Sequence, residues 1–178
     1  MAFTFPNSYI VFDCETTGLD PLKGDRIIEV GMHKIIKGEL AEEFASFVLH
    51  ERPIPAEAAA VNGITDEMLR KSGRTPAEVF PVLALMFEDL PVVGHNVSFD
   101  LGFLNHHLKA LSLPVMLNQQ FDTIALAKQY LPPLPTYRLE NVARFLEIPQ
   151  PSAHRALADV ITTRQIYEAL IKRAGIKK

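Results

Sequence analysis

Tyr9-Ile10-Val11-Phe12-Asp13-Cys14-Glu15-Thr16-Thr17-Gly18 starts with four apolar residues and runs into two alternating carboxylates. In an extended segment, Ile10, Phe12 and Cys14 fall on one face and Val11, Asp13 and Glu15 on the other. Ionised groups set close together at a core edge repel each other and resist desolvation, so this is a costly way to finish a strand. Asp13 and Glu15 leave the same face about 6–7 Å apart along the backbone. Oxygen ligands at that spacing suit hard cations such as Mg²⁺ or Mn²⁺, which would offset the charge. The plainer alternative is a solvated strand end. The small residues at Thr16-Thr17-Gly18 favour the first reading, because they leave room for a substrate to approach the backbone.

Outward from this strand (residues 9–15), the segment 26–37 is rich in Ile and Val and reads as a second strand, with 43–50 as a third. Short links between the three predict an antiparallel meander. Helical patterning follows at 56–61, which Asn62-Gly63 stops. Thr65-Asp66-Glu67 opens a second helix. Thr75-Pro76-Ala77-Glu78 combines a capping-box spacing with proline at the first helical position and starts a third, to about Asp89. Residues 90–94 form a short strand, 98–111 a helix with Leu101, Leu104, Leu108 and Leu111 on one face, and 122–130 and 139–146 two more. A final helix runs from about Arg155 to Arg173. Strands first, then alternating strand and helix, predict one α/β domain over residues 1–178 with its core at about 9–172.

Composition limits the function classes. No stretch approaches the roughly 20 apolar residues of a membrane span, and the N-terminus lacks the basic region of a secretory signal. One cysteine, Cys14, rules out an internal disulfide and suits a reducing cytoplasm. The net charge of −3 gives no general basic footprint for coating long duplex nucleic acid. A carboxylate metal site distorts that count, and bound divalent ions would offset it locally.

Other acids stand elsewhere in the chain. Asp100 follows Gly94-His95-Asn96-Val97-Ser98-Phe99 near a helix start, where a carboxylate often serves the helix dipole. Asp159 lies inside the last helix, and His154 on the loop that enters it. Cys14, facing away from Asp13 and Glu15, reads as a small buried apolar residue without reactivity. His95, His106 and His107 show no metal spacing.

Taken together, Asp-x-Glu-Thr-Thr-Gly at Asp13, Gly-His-Asn-x-x-Phe-Asp ending at Asp100, and His-x-Ala-x-x-Asp from His154 to Asp159 resemble the DEDDh (DnaQ-like) family of 3′→5′ exonucleases. Weaker family-like stretches are Asn62-Gly63-Ile64-Thr65, Asp122-Thr123-Ile124-Ala125-Leu126-Ala127 and Tyr137-Arg138-Leu139, so the likeness covers roughly residues 9–170. It implies a ribonuclease H-like fold, with a mixed central sheet (the meander plus parallel strands) flanked by helices. It also implies two divalent ions, Mg²⁺ or Mn²⁺, held by Asp13, Glu15, Asp100 and Asp159. Asp13 would bridge both ions, Asp100 would act partly through water, and His154 would be the general base. Substrate contacts would come from Thr16, Thr17, Gly18, Leu19, Asn62, Ile64, Asn96 and Phe99, with Leu19, Ile64 and Phe99 as surfaces on which a base could stack. Arg138, Arg155 and Lys128 are weaker candidates for backbone phosphates. Asn62 departs from the pattern, since proofreading relatives often carry His there, and the chain ends soon after its last helix without an extended polymerase-binding tail. The expected activity is release of nucleoside 5′-monophosphates from single-stranded or frayed DNA 3′ ends, with DNA favoured over RNA as partner and no membrane. An exoribonuclease and a non-catalytic nucleic-acid-binding module on the same fold are the alternatives.

Overall fold

The computed structural model describes residues 5–150 and 155–175. Three strands, β1 (Tyr9–Thr16), β2 (Ile27–Ile36) and β3 (Glu39–Phe47), form the antiparallel meander. Three short helices follow: α1 (Ala56–Asn62), α2 (Asp66–Ser72) and α3 (Pro76–Phe87). Strand β4 (Val92–Gly94), helix α4 (Val97–Ala110), strand β5 (Gln120–Asp122) and helices α5 (Thr123–Tyr130), α6 (Leu139–Phe145) and α7 (Ala156–Arg173) complete the order. The sheet runs β3-β2-β1-β4-β5, with β4 parallel to both β1 and β5. This is the mixed, helix-flanked ribonuclease H-like architecture that the sequence implied.

The apolar run of β1 is explained by helices on both faces of the sheet. Ile10, Phe12, Val30 and Met32 pack against Phe80, Leu83 and Phe87 of α3 and Leu101 and Leu104 of α4. Tyr9, Val11 and Val93 pack on the other side against Val142 of α6 and Tyr167 and Leu170 of α7. Local signals placed several boundaries. Gly63 takes the left-handed conformation (φ 68°) that stops α1, the Thr65 side chain accepts the Met68 N–H at the start of α2, and Glu78 accepts the Thr75 N–H at 2.8 Å at the start of α3.

Two elements differ from expectation. Strand β3 begins at Glu39 and ends at Phe47, rather than spanning 43–50. It is an edge strand whose first five residues are exposed, so it carries charge where a buried strand would alternate. Strand β5 has no counterpart in the sequence reading, which assigns no element to Gln120 and Phe121 and starts a helix at Asp122. It has three residues, only Phe121 is buried, and its pairing with β4 defines it. Among the described residues, no helix is long and apolar enough to cross a membrane.

Candidate active site

β1 delivers Asp13 and Glu15 to the face on which α7 packs, and the first turn of α7 returns Asp159 to the same place. One carboxylate oxygen from each of the three lies within 4.8 Å of the others. Where β1 ends, the ladder to β2 carries a bulge: Glu15 pairs with Glu29 while Thr16 pairs with Ile27. That extra residue re-aims the strand beside the acids. Asp100, in the first turn of α4, comes from the other side of the sheet. Its Oδ1 accepts the Cys14 N–H at 3.0 Å and the Cys14 thiol at 3.3 Å, and it does not join the tight group of three. All four acids line one cavity of about 200 Å³, together with Phe99 and His95.

The electrostatics of this arrangement are unfavourable without cations. Burial, then repulsion from Asp100, Asp159 and Glu15, holds Asp13 well above the ordinary carboxylate range. Burial and the charges of Asp159, Glu29 and Asp100 push Glu15 up to about 7. Burial also raises Asp100, against the two hydrogen bonds from Cys14. Converging hard oxygen donors that repel one another fit divalent cations, whose charge removes the penalty.

The expected substrate contacts separate into accessible and inaccessible residues. Leu19 is 84% exposed at the end of the loop after β1, Asn96 is exposed, and Phe99 stands half-buried in the cavity wall. Ile64 is fully buried with Ile28 and Leu69, so it is core and offers no stacking surface. Asn62 is buried too, its Oδ1 accepting the Ile64 N–H at 3.0 Å. The Thr17 hydroxyl accepts the Arg26 N–H at 3.1 Å, and Thr16 donates to the Gly18 carbonyl at 2.6 Å, so both threonines shape the loop. The space a side chain would take at Gly18 is filled by the Asp25 carboxylate rather than left open to a ligand. His154 lies outside the described residues. Its flanks are described: Gln150 lines the cavity, and Arg155 sits at the start of α7.

The model of the exonuclease family of RNase T type matches residues 10–167. The chain belongs to that DnaQ-like 3′→5′ exonuclease family. Among its relatives, the family member is 34% identical over 166 residues to the PolC-type DNA polymerase III of Pediococcus pentosaceus, covering 93% of this chain and 11% of that protein. It therefore spans about a tenth of the length of the curated relatives it matches. The departure at Asn62 does not separate it from polymerase-type relatives. Escherichia coli exonuclease I in complex with a dA16 oligonucleotide superposes with a TM-score of 0.83 at 20% identity, over 96% of this chain and 42% of that one. Exonuclease X in complex with 5′-overhanging duplex DNA gives 0.74 at 24%, over 95% and 94%. Both likenesses establish the fold.

Four supporting contacts in the exonuclease domain were not read from the sequence. Glu29, buried on β2, accepts Arg155 Nε at 3.1 and 3.2 Å, Arg155 Nη2 at 2.9 Å and the Ala156 N–H at 3.1 Å. Arg155, considered as a phosphate contact, is thus committed to fixing the start of α7, and Lys128 lies 5.6 Å over the Tyr137 ring. An acid inside the apolar run Ile27-Ile28-Glu29-Val30 was the available signal. Gly31, which pairs with Asp13, meets the α7 backbone so closely that an added Cβ would stand 2.5 Å from the Ala156 carbonyl carbon. Cys14 is inert as a nucleophile, since burial and Asp100 push its thiol pKa up, but it is a hydrogen-bond donor to Asp100 rather than a purely apolar filler. His95 donates Nε2–H to the Tyr137 carbonyl at 2.8 Å and takes the Thr123 hydroxyl on Nδ1 at 2.8 Å, so its role is to tie β4 to the segment before α6.

Proposed function

We propose that the chain hydrolyses phosphodiester bonds at the 3′ ends of single-stranded or frayed DNA, releasing nucleoside 5′-monophosphates. The observation that carries this reading is the convergence of Asp13, Glu15 and Asp159 within 4.8 Å, with Asp100 in the same cavity wall. Asp13, Glu15, Asp100 and Asp159 would hold two divalent ions, Mg²⁺ or Mn²⁺. When bound, such ions supply Lewis-acid activation of a water and charge stabilisation at the leaving oxygen. His154 takes the proton of the attacking water, a role that a neutral imidazole can fill near neutral pH. Phe99 in the wall and Leu19 at the loop tip seat the terminal nucleotide. A stacking contact of this kind contributes about 1–3 kcal/mol and tolerates any base.

A cavity of about 200 Å³ admits one strand end better than paired duplex, which supports a single-stranded or frayed terminus. The DNA-bound forms of exonucleases I and X support DNA over RNA as the polymer. The PolC-type relatives support work alongside a polymerase, and the buried, reduced Cys14 fits a cytoplasmic setting.

Parallel digestion of matched 5′-labelled DNA and RNA oligomers, with Mg²⁺, with Mn²⁺ and with chelator, tests this directly. The expected result is stepwise shortening of DNA from the unlabelled end, with mononucleotide products and no cleavage under chelation. Internal cuts, or product without metal, would overturn the mechanism. Faster loss of RNA would move the chain to RNA trimming.

A further inference from the structure

A second charged hollow, cationic this time, lies beyond the loop that follows the acid pair. Two adjoining cavities of about 490 and 310 Å³ share Arg26, His50, Arg52 and Pro76. The Nε of Arg26 is buried without a hydrogen-bond partner. Among the described residues, neither Arg26 nor Arg52 takes part in an ion pair. Neither nearby acid pairs with them: Asp25, whose charge favours the Arg26 guanidinium, accepts the Asp20 N–H at 3.0 Å within the turn, and Glu51 is exposed on the rim. The guanidiniums sense each other: burial and the charge of Arg52 lower the Arg26 pKa against the opposing charge of Asp25. His107, between this hollow and the sheet, is pushed down to about 4 by burial and by His50, His106 and Arg26. Its Nε2 accepts the Ile27 N–H at 3.1 Å, so it stays neutral and structural. Two guanidiniums brought together with no ion-pair partner, one with a buried unpartnered Nε, mark a place for an anion.

The hollow is coupled to the acid site through the backbone. Thr17 N–H donates to the Arg26 carbonyl at 3.0 Å, two residues beyond Glu15. Helix α4 spans from Asp100 to His107, about 10 Å at 1.5 Å per residue. A phosphate held there would belong to a nucleotide upstream of the one whose bond lies at the acids.

We propose that Arg26 and Arg52 bind a backbone phosphate of the strand whose 3′ end lies at Asp13 and Glu15, a few nucleotides upstream of the cut. The assignment rests on the exonuclease reading above and adds a site that the carboxylates do not contain. The phosphate chemistry is shared by a strand, by a mononucleotide product and by inorganic phosphate, and the test separates these sources.

Arg52 is exposed, so Arg52→Gln preserves the fold, which an unchanged thermal midpoint confirms. With a long oligothymidylate, Arg52→Gln should raise KM about tenfold and leave kcat unchanged, and the slope of log affinity against log salt should fall by about 1. With the dinucleotide pTpT, too short to reach the hollow, KM should not move. Arg26→Gln should act in the same direction, and Arg52→Lys should restore part of the affinity. Equal losses on long and short substrates, or no loss on the long one, would overturn the proposal. Calorimetric titration with inorganic phosphate and with thymidine monophosphate covers the other sources: Arg52-dependent binding of either, without an effect on the long oligomer, also overturns it. Anisotropy of a labelled oligothymidylate in chelator reads the hollow without turnover. If the wild-type chain cleaves nothing, the exonuclease reading fails, and the hollow stands or falls on whether Arg52→Gln weakens that binding.

Discussion

Glu15 and Glu29 face each other across the ladder between β1 and β2, and they live under opposite electrostatic regimes. Glu29 sits in the seam beneath α7 with its counter-ion built in: a bidentate guanidinium from Arg155 and the Ala156 N–H. Glu15, its neighbour across the strands, opens toward Asp13 and Asp159, and burial with the charges of Asp159, Glu29 and Asp100 raises it to about 7. A buried acid that the chain itself neutralises holds structure together. A set of acids left to repel one another is held ready for a cation from outside. The contrast lies in what surrounds each carboxylate and not in how deeply it is buried.

The sharpest way to break this contrast is Asp13→Asn. Loss of the proposed ion ligand should lower kcat on the order of a thousandfold or more, several kcal/mol of charge stabilisation at about 1.4 kcal/mol per tenfold. In chelator, the same substitution should raise the thermal midpoint, because it removes a repelling charge. Retained turnover, or a lower midpoint, would mean that Asp13 is structural in the manner of Glu29. Next in size, His154→Ala should lower kcat about a hundredfold while a Mn²⁺ titration stays unchanged. Normal turnover would remove His154 from the reaction.

Arg155→Ala tests the other side of the comparison. It leaves Glu29 buried with only a backbone partner and should destabilise the chain by about 1–3 kcal/mol in urea. Arg155→Lys should recover only part of this, since an ammonium cannot reproduce the bidentate fork. A neutral outcome would mean the seam holds without its ion pair.

The smallest expected effect is a drift with pH in the metal-free chain. The folded pKa of Glu15 is raised to about 7, whereas an unfolded Glu titrates near about 4.3. Its contribution to stability is therefore full below about pH 4 and is lost as the pH climbs through about 7, with Asp13 and Asp100 shifted in the same direction. Thermal midpoints in chelator should fall across that window, and saturating Mn²⁺ should abolish the trend. A rise with pH would contradict the reading of an uncompensated acid cluster.

The meander, most helices and the acids were legible because each has a local signal: alternation at 9–15, a cap at Thr75-Pro76, a stop at Asn62-Gly63. Strand β5 was hidden because three residues with one buried side chain carry no period, and only β4 defines them. The start of β3 was hidden by its charged edge. Pairing of Glu29 with Arg155 spans 126 positions, and the Cys14 thiol meets an acid 86 positions away. Such contacts are products of the fold: the acid in the apolar run 27–30 marks a position, but neither local stretch names its partner. Ile64 shows the converse: a motif-like position read as a contact surface was claimed by the core.

Gly31 has a longer reach than its size implies. The start of α7 rests directly on the strand at that point, so Asp159 keeps its distance from Asp13 because there is no side chain between them. In a library randomised at position 31 and selected for turnover, glycine should return almost alone. An inherited active-site shape can thus be carried by a residue with nothing to contribute except its absence of bulk.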